Sequence, residues 1–180
     1  MKRLSMMLGL LCACGVKSGP EASHATTPET STSTVADDGW REPGEKRVQC
    51  EAATTAQFAG TYDSPEWGTT VLRVVGDEIW GVYAHDEGVL RGRVVNGAFL
   101  GWWNEVPSRR GPNDAGEVQF CLTTDADGRP AIDGSWMYGS VDDPDHGAWR
   151  DDWDMPRSTS SAPEELEARF AQPAIFLSRP

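Results

Sequence analysis

The sequence has little positive charge and no apolar stretch long enough to cross a bilayer as a helix. It contains 16 lysines and arginines against 28 aspartates and glutamates, which gives a formal net charge of −12. Such an acidic chain would repel nucleic acids and anionic lipid headgroups, so we exclude a nucleic-acid partner. The N-terminal apolar run, Leu4 to Leu11, is much shorter than the roughly 20 residues that a membrane-spanning helix needs.

Side chains that commonly carry catalysis or bind metal ions are also scarce. The chain has three histidines and four cysteines, and no serine lies in a G-x-S-x-G motif. His85 and His146 fall in expected loops, and the 28 acidic residues are too many to single out a glycosidase pair. The sequence therefore predicts no catalytic residue, no metal ligand and no cofactor.

Six aspartates lie between positions 141 and 154. Among them, Asp142, Asp143 and Asp145 offer oxygen ligands of the kind that calcium prefers. The spacing of an EF-hand is absent, however, and Pro144 interrupts the alternation. We interpret this segment as a solvated acidic loop.

The first residues are typical of an exported protein. Lys2 and Arg3 precede the short apolar run, which is the pattern of a secretory signal rather than of a membrane anchor. The sequence Leu11-Cys12-Ala13-Cys14 that follows resembles the lipobox of bacterial lipoproteins, with an aliphatic residue at −3 and a small residue at −1. The resemblance implies a signal peptide over residues 1–13, cleavage after Ala13, and lipid on Cys14. An ordinary secreted protein with two unrelated cysteines is the alternative.

A tether rather than a second domain is expected after Cys14. Residues 14–47 are rich in Ser, Thr, Pro, Ala and Glu and contain little that could form a core. Several acyl chains, palmitate among them, would hold this end firmly to a membrane. Loss of residues 1–13 would lower the net charge from −12 to −14. The expected location is the bacterial cell envelope, with the outer membrane favoured.

Two cysteines remain for the domain at 48–180. In an oxidising envelope Cys50 and Cys121 are expected to pair, although two buried thiols or a metal site are alternatives. Cys121 alternates with the apolar residues Phe120 and Leu122, so it should point outward. The bond then requires the segment before the first strand to cross the outside of the sheet.

The periodicity of this domain is that of strands. Short alternating runs are separated by turn signals, of which Asn96-Gly97 is the strongest. Eight antiparallel strands are predicted, at 58–63, 69–75, 78–84, 88–95, 97–105, 116–124, 130–138 and 147–153. A helix should begin near Ser161–Glu165, turn Leu166 and Phe170 inward, and end at Pro173. Residues 174–178 are predicted to form a last strand or a buried tail.

A unit of the form large-x-Gly-x-large recurs along these strands. It occurs as FAGTY, IWGVY, LRGRV, FLGWW and IDGSW, with GAW as a partial sixth copy. In a strand the two large side chains and the glycine share one face. Glycine between them would relieve crowding inside a narrow, strongly bent sheet.

The pattern is similar to calycin-like up-and-down β-barrels of the avidin and lipocalin kind. That resemblance implies an all-β barrel with a pocket at its mouth. The polar contacts of avidins have no counterpart in this chain.

Strand alternation assigns the aromatic residues to two faces. Ile79, Tyr83, Phe99 and Trp103 should point inward, which places a second apolar set outside. An exposed apolar patch indicates an interaction site unless the C-terminal helix covers it. The candidates for that surface are Trp80, Leu100 and Trp102, beside Val82. The candidates for contact with a small apolar or sugar ligand are Trp67, Tyr83, Trp103, Trp136 and Trp149.

These observations favour a lipid-anchored envelope lipoprotein whose barrel is a ligand-binding or protein-interaction module. Its partners would be the membrane, through the lipid, and either a small ligand or another envelope protein. Two alternatives remain: an envelope-acting hydrolase that uses His85, His146 or acidic loop residues, and a structural accessory lipoprotein whose barrel is filled by its own side chains.

The lipid anchor predicts a clear outcome for two cysteine variants. Cys14→Ser should abolish incorporation of labelled palmitate and move the protein from the membrane fraction to the soluble fraction, because the only acceptor thiol is lost. Cys12→Ser, two residues away and inside the cleaved peptide, is the matched control and should change neither. Palmitate on the Cys14→Ser protein would contradict the lipobox interpretation.

Overall fold

The computed structural model describes residues 49–177. The predicted signal peptide, the Cys14 lipid site and the tether lie outside these residues. Within them, no helix combines the length and the apolar character that crossing a bilayer requires.

The described chain is a single antiparallel sheet of eight strands in sequence order. Each strand pairs with its neighbours along the chain, so the fold is an up-and-down meander and the all-β prediction is confirmed. The first seven strands begin and end within two residues of the predicted positions. The strands are β1 (Gly60–Ser64), β2 (Gly68–Val75), β3 (Glu78–Tyr83), β4 (Val89–Val95), β5 (Ala98–Asn104), β6 (Ala115–Thr124), β7 (Pro130–Tyr138) and β8 (Met155–Pro156).

The sheet curls until its first and last strands nearly meet. A single bridge joins Tyr62 of β1 to Arg157, just after β8, and the Ser158 N–H donates to the Thr61 carbonyl at 2.8 Å. The result is an eight-stranded, nearly closed barrel, an architecture consistent with the calycin-like resemblance. Closure of this kind satisfies the backbone groups that an open sheet would leave at its edges.

The two ends of the barrel differ. One end carries the tight turns between β2 and β3, between β4 and β5 and between β6 and β7. A short helix, α1 (Thr55–Phe58), plugs this end with the fully buried Phe58 ring. The opposite end carries the connections after β1, β3, β5 and β7, and we call it the mouth. Helix α1 was not predicted, and the residues assigned to the start of the first strand lie in it instead.

The interior is filled by the chain's own side chains, as the repeated unit predicts. Gly92 of β4 pairs directly with Gly101 of β5, and the Phe99 ring lies over both of them. A Cβ added at Gly92 would lie 2.4 Å from that ring, and one at Gly101 would lie 2.6 Å from it. The glycines are therefore spaces into which neighbouring rings pack. The largest fully buried side chains include Trp103, Trp136, Trp153, Tyr62, Tyr83, Phe58, Phe99 and Phe120.

The predicted disulfide is present. Cys50 and Cys121 are bonded with their Cα atoms 5.3 Å apart, inside the range that a disulfide allows. Cys121 lies on the outer face of β6, and the chain before α1 passes close to the β4–β5 turn, where the Glu51 carbonyl approaches Gly97. Closing a loop of 71 residues stabilises the fold by about 4 kcal/mol in the chain-entropy model.

The prediction of a regular strand at 147–153 is wrong. This segment runs antiparallel to β7, but only the bridge between Trp136 and Arg150 forms. The Gly147 N–H donates to the Tyr138 carbonyl, and the Trp153 N–H donates to the Gly134 carbonyl. From one of these contacts to the next, β7 advances by two residues while the opposing segment advances by three. The extra residue forms a bulge each time and interrupts the ladder. Regular pairing begins only with β8.

The C-terminal segment packs on the outside of the barrel. Helix α2 (Glu164–Arg169) begins after Pro163 and buries Leu166. Residues 173–176 form a 3₁₀ turn that buries Phe176, so the alternative of a last strand at 174–178 is wrong. Leu166 and Phe176 pack against the outward-facing valines of β2, β3 and β4. The predicted cover for the outer face is therefore present over this part of the sheet.

This packing predicts that Leu166→Ala will lower the free energy of unfolding by about 2–3 kcal/mol, because it leaves a void against the outer valines. Chemical denaturation followed by tryptophan fluorescence measures the change. Leu177→Ala is the matched control: Leu177 is 56% exposed, and its truncation should cost less than about 0.5 kcal/mol. Equal losses in the two variants would show that α2 does not depend on this contact.

Candidate functional site

Trp67 occupies the centre of the mouth. It follows β1 in the first connection at this end, and its half-buried ring stacks on Trp153 with centroids 4.4 Å apart. The rings of Trp136, Tyr83 and His85 meet it edge-on at 5.2, 6.3 and 5.4 Å. Such edge-to-face and stacked pairs fix ring orientations as well as burying area. Trp67 therefore joins the barrel core below it to the loops around it.

Four of the five predicted ligand-contacting residues belong to this aromatic cluster. Trp103 meets Trp136 edge-on at 5.5 Å, and Trp67, Tyr83 and Trp136 make the contacts described above. Trp103, Trp136 and Tyr83 are buried in the interior, so their rings fill the barrel. Trp149 is half-buried in the segment after β7. Trp67 is likewise half-buried, in the first connection at the mouth.

The cavities at the described residues include three with volumes of about 410, 470 and 600 Å³. One lies beside the β6–β7 turn, one beside the disulfide, and the largest between α2 and the mouth loops. None of the three is lined by Trp103, Trp136 or Trp153. The rings of Trp103, Trp136 and Trp153 are packed together in the buried core.

Polar and aromatic side chains border Trp67 on the outside. Tyr138 is 38% exposed and packs on Trp136 at 4.9 Å. The Arg150 guanidinium lies 4.6 Å from the centroid of the Trp136 ring on its outer side. We define the rim surface as Trp67, His85, Tyr138 and Arg150. Trp67, Tyr138 and Arg150 contact the buried Trp136, and His85 contacts Trp67. A cation, an imidazole and two partly exposed rings at one site suit a flat or anionic group of a partner.

Asp152 holds the rim surface together. Its carboxylate accepts hydrogen bonds from Trp136 Nε1 at 2.6 Å and from Arg150 Nη2 at 3.0 Å. Its backbone carbonyl accepts a bond from Trp67 Nε1 at 3.5 Å. The indole N–H groups of Trp136 and Trp67 therefore have hydrogen-bond acceptors within the chain. A partner would contact the faces and edges of these rings.

Comparisons with family models, with curated proteins and with solved structures find no match for this chain.

A buried carboxylate lies beneath one side of the mouth. Glu105 follows β5, is 8% exposed, and accepts a hydrogen bond from the Tyr83 hydroxyl at 2.8 Å. Burial raises the pKa of Glu105, against the effect of that hydrogen bond. Burial and the adjacent Glu105 carboxylate hold the pKa of Tyr83 well above its ordinary value, so the phenol remains the donor of this pair.

The alternative catalytic candidate, His146, lies in the acidic segment after β7. Its Nδ1 is 2.8 Å from the Gly147 carbonyl, and its backbone N–H donates to the Asp143 carbonyl. The Asp143 carboxylate in turn accepts the Ser140 N–H at 3.2 Å. The contacts of His146 and Asp143 described here serve the turn itself. His85 is the histidine that lies beside a buried acid.

The predicted interaction surface on the outer face is largely covered. Trp80 stacks on Phe176 with centroids 4.6 Å apart, and its Nε1 donates to Glu78 at 2.8 Å. Trp102 is only 8% exposed, and Leu100 is half-buried. The face that the sequence indicates for a partner is thus less accessible than the mouth.

Sequence reasoning missed Tyr138, Arg150, Asp86 and Glu105 as residues of the mouth. They could have been found from the topology, because alternate loops of an up-and-down barrel lie at the same end. The loops after β1, β3, β5 and β7 therefore had to meet there, whatever their spacing in the sequence.

On the outer face, the ion pairs of Glu78 make a testable electrostatic contribution to the stability of the fold. Its carboxylate accepts two hydrogen bonds from the Arg91 guanidinium in a bidentate pair, both at 2.9 Å, and one from Arg93 at 3.2 Å. Burial alone would raise the pKa of Glu78, but these bonds and that from Trp80 outweigh it and hold the pKa below its ordinary value. Ionised Glu78 therefore stabilises the fold at neutral pH.

Glu78→Gln should lower the free energy of unfolding at pH 7 by about 2–4 kcal/mol, because the guanidiniums lose a buried ionic partner. Since the folded-state pKa is the lower one, the wild-type advantage should shrink as the pH falls through that pKa. Denaturation at pH 7 and at about pH 3 measures both effects. Asp77→Asn, at a neighbouring and 83% exposed side chain, should have little effect. A loss independent of pH would contradict the ionic explanation.

Proposed function

We propose that this protein is a lipid-anchored lipoprotein of the bacterial cell envelope whose barrel is a binding module, and that it binds through the rim surface. The lipobox-like sequence supports the anchor. The observation that carries the binding role is the contrast between a filled interior and an open mouth. Trp103, Trp136 and Trp153 occupy the interior, while Trp67, His85, Tyr138 and Arg150 present partly exposed groups around its end.

The chemistry of the rim surface indicates the kind of partner. Aromatic faces and edges stack on flat apolar or sugar rings, and Arg150 adds a positive charge in a chain with a net charge of −12. The Arg150 guanidinium is held by Asp152 and its side chain is 51% exposed, so its exposed N–H groups would orient an approaching anionic group. The favoured partner is therefore an envelope component that combines a ring with a negative charge.

Site-specific photo-crosslinking in the native envelope tests the proposal. A photoreactive phenylalanine analogue at Tyr138 should give a covalent adduct in the full-length lipidated protein. The same group at Val74, which is 44% exposed at the plugged end, is the matched control and should give none. Both positions are exposed enough to accept the analogue without disturbing the core.

The outcome separates the rim surface from other surfaces. Arg150→Ala should reduce the adduct at position 138, because it removes the guanidinium that lies over the Trp136 ring. Native mass spectrometry of the same preparation distinguishes a small ligand from a protein partner. Equal adducts at positions 138 and 74, or none at either, would contradict binding through the rim surface.

A further inference from the structure

A histidine and two carboxylates from different loops converge at the mouth. His85 and Asp86 lie in the 3₁₀ turn after β3, and Glu105 follows β5. One ligand atom from each residue lies within 4.8 Å of the other two. We propose that His85, Asp86 and Glu105 form a binding site for a divalent transition-metal ion, with Zn²⁺ as the best match to the donor set.

The spacing of the donor atoms is close to that of a bound ion. His85 Nε2 and Asp86 Oδ2 are 3.5 Å apart. Two atoms that each lie about 2.0–2.2 Å from a tetrahedral zinc ion are about 3.3–3.6 Å apart. A movement of roughly one ångström within the cluster would bring all three donors into the first coordination sphere. Imidazole nitrogen with carboxylate oxygen is a set that favours zinc over magnesium or calcium.

Backbone hydrogen bonds hold the turn that carries His85 and Asp86 against the two neighbouring loops of the mouth. The Val106 N–H donates to the Asp86 carbonyl at 3.0 Å, and the His85 N–H donates to the Trp67 carbonyl at 3.2 Å. Asp86 and Glu87 both adopt left-handed backbone angles, with φ of 41° and 49°. Such angles cost energy in non-glycine residues and persist only where the surrounding structure imposes them. The turn is therefore fixed in the shape that places Asp86 beside His85.

Glu105 is a buried carboxylate with little compensation. It is more than nine-tenths buried, and within residues 49–177 the neutral Tyr83 hydroxyl is the side-chain donor that reaches it. The Asp86 carboxylate belongs to the same cluster, and its ligand atom lies within 4.8 Å of that of Glu105. A buried anion among other anions is costly unless a cation joins it. A divalent ion would supply that cation at the point where the three donors meet.

The surroundings resemble the supporting shell of a metal site. The Tyr83 hydroxyl orients the Glu105 carboxylate, as outer-shell donors do for metal ligands. The edge-on Trp67 ring restrains the His85 imidazole. His85 and Asp86 retain 45% and 61% side-chain exposure, so the ion would be reached from solvent. Three protein ligands leave a fourth position for water or for a donor group of a partner.

Zinc titration of the full-length protein tests this site with Zn²⁺ alone as the probe. Isothermal titration calorimetry should give one ion per chain, and Mg²⁺ in excess should not compete. The decisive variants are Glu105→Gln and Asp86→Asn, which keep the shape of each side chain, together with His85→Ala. Each should weaken zinc binding at least tenfold. His24→Ala and His146→Ala, which remove the other two histidines, are the matched controls and should bind as the wild type does.

Two further measurements distinguish the loss of zinc binding in a variant from a loss of folding. Far-UV circular dichroism should show the same sheet signal in every variant, and Zn²⁺ should raise the melting temperature of the wild type but not of Glu105→Gln. Absence of zinc binding by the wild type would reduce His85 and Asp86 to an exposed ion pair and overturn the proposal. So would equal losses in the His85 and His146 variants. The proposal is independent of the crosslinking result, because zinc binding requires neither the lipid nor a partner.

Discussion

The packing of rings over glycines inside a nearly closed sheet is the constraint on which the rest of the structure depends. Eight strands enclose a narrow interior that close packing must fill. Phe99 can lie across Gly92 and Gly101 only because neither has a Cβ atom. These gaps admit neighbouring side chains, Phe99 at Gly92 and Gly101 and two leucines at Gly81, and they allow the sheet to bend. Glycine, a weak strand residue in an open sheet, thus becomes a requirement of closure here.

Filling the interior also determines where chemistry can occur. The rings of Trp103, Trp136 and Trp153 occupy the interior, and the polar groups of the candidate site lie where the strands end. Trp67 serves both regions: one face covers Trp153, and one edge restrains His85. Likewise, the Tyr83 ring belongs to the core while its hydroxyl binds Glu105. The rigidity of the mouth is therefore derived from the core beneath it.

The regular features of this fold could be predicted because they depend on local patterns. Alternation assigned Phe99 and Trp103 to the interior, and the outward position of Cys121 agreed with its disulfide. Helix α1 was missed, although the spacing of Thr54 and Gln57 is that of a capping box, a pattern that marks the start of a helix. In the structure the Thr54 N–H donates to the Gln57 side chain. The bulged segment at 147–153 could not be predicted, because its side chains replace ladder contacts: Asp151 accepts from Ser135, and Asp152 from Trp136. The cluster of His85 and Glu105 depends on how two distant loops meet, which no spacing encodes.

The C-terminal segment connects the outer face with the mouth. Leu166 holds α2 against the outer valines, and Arg169 at the end of the same helix donates to the carbonyls of Tyr83 and Gly88 at 3.0 Å. These carbonyls flank the turn that carries His85 and Asp86. Burial and the nearby Arg109 lower the pKa of Arg169. Apolar packing of α2 on the outer face of the sheet therefore helps to fix the turn at the end of β3, so that the shape of the mouth depends on a helix that lies outside the barrel.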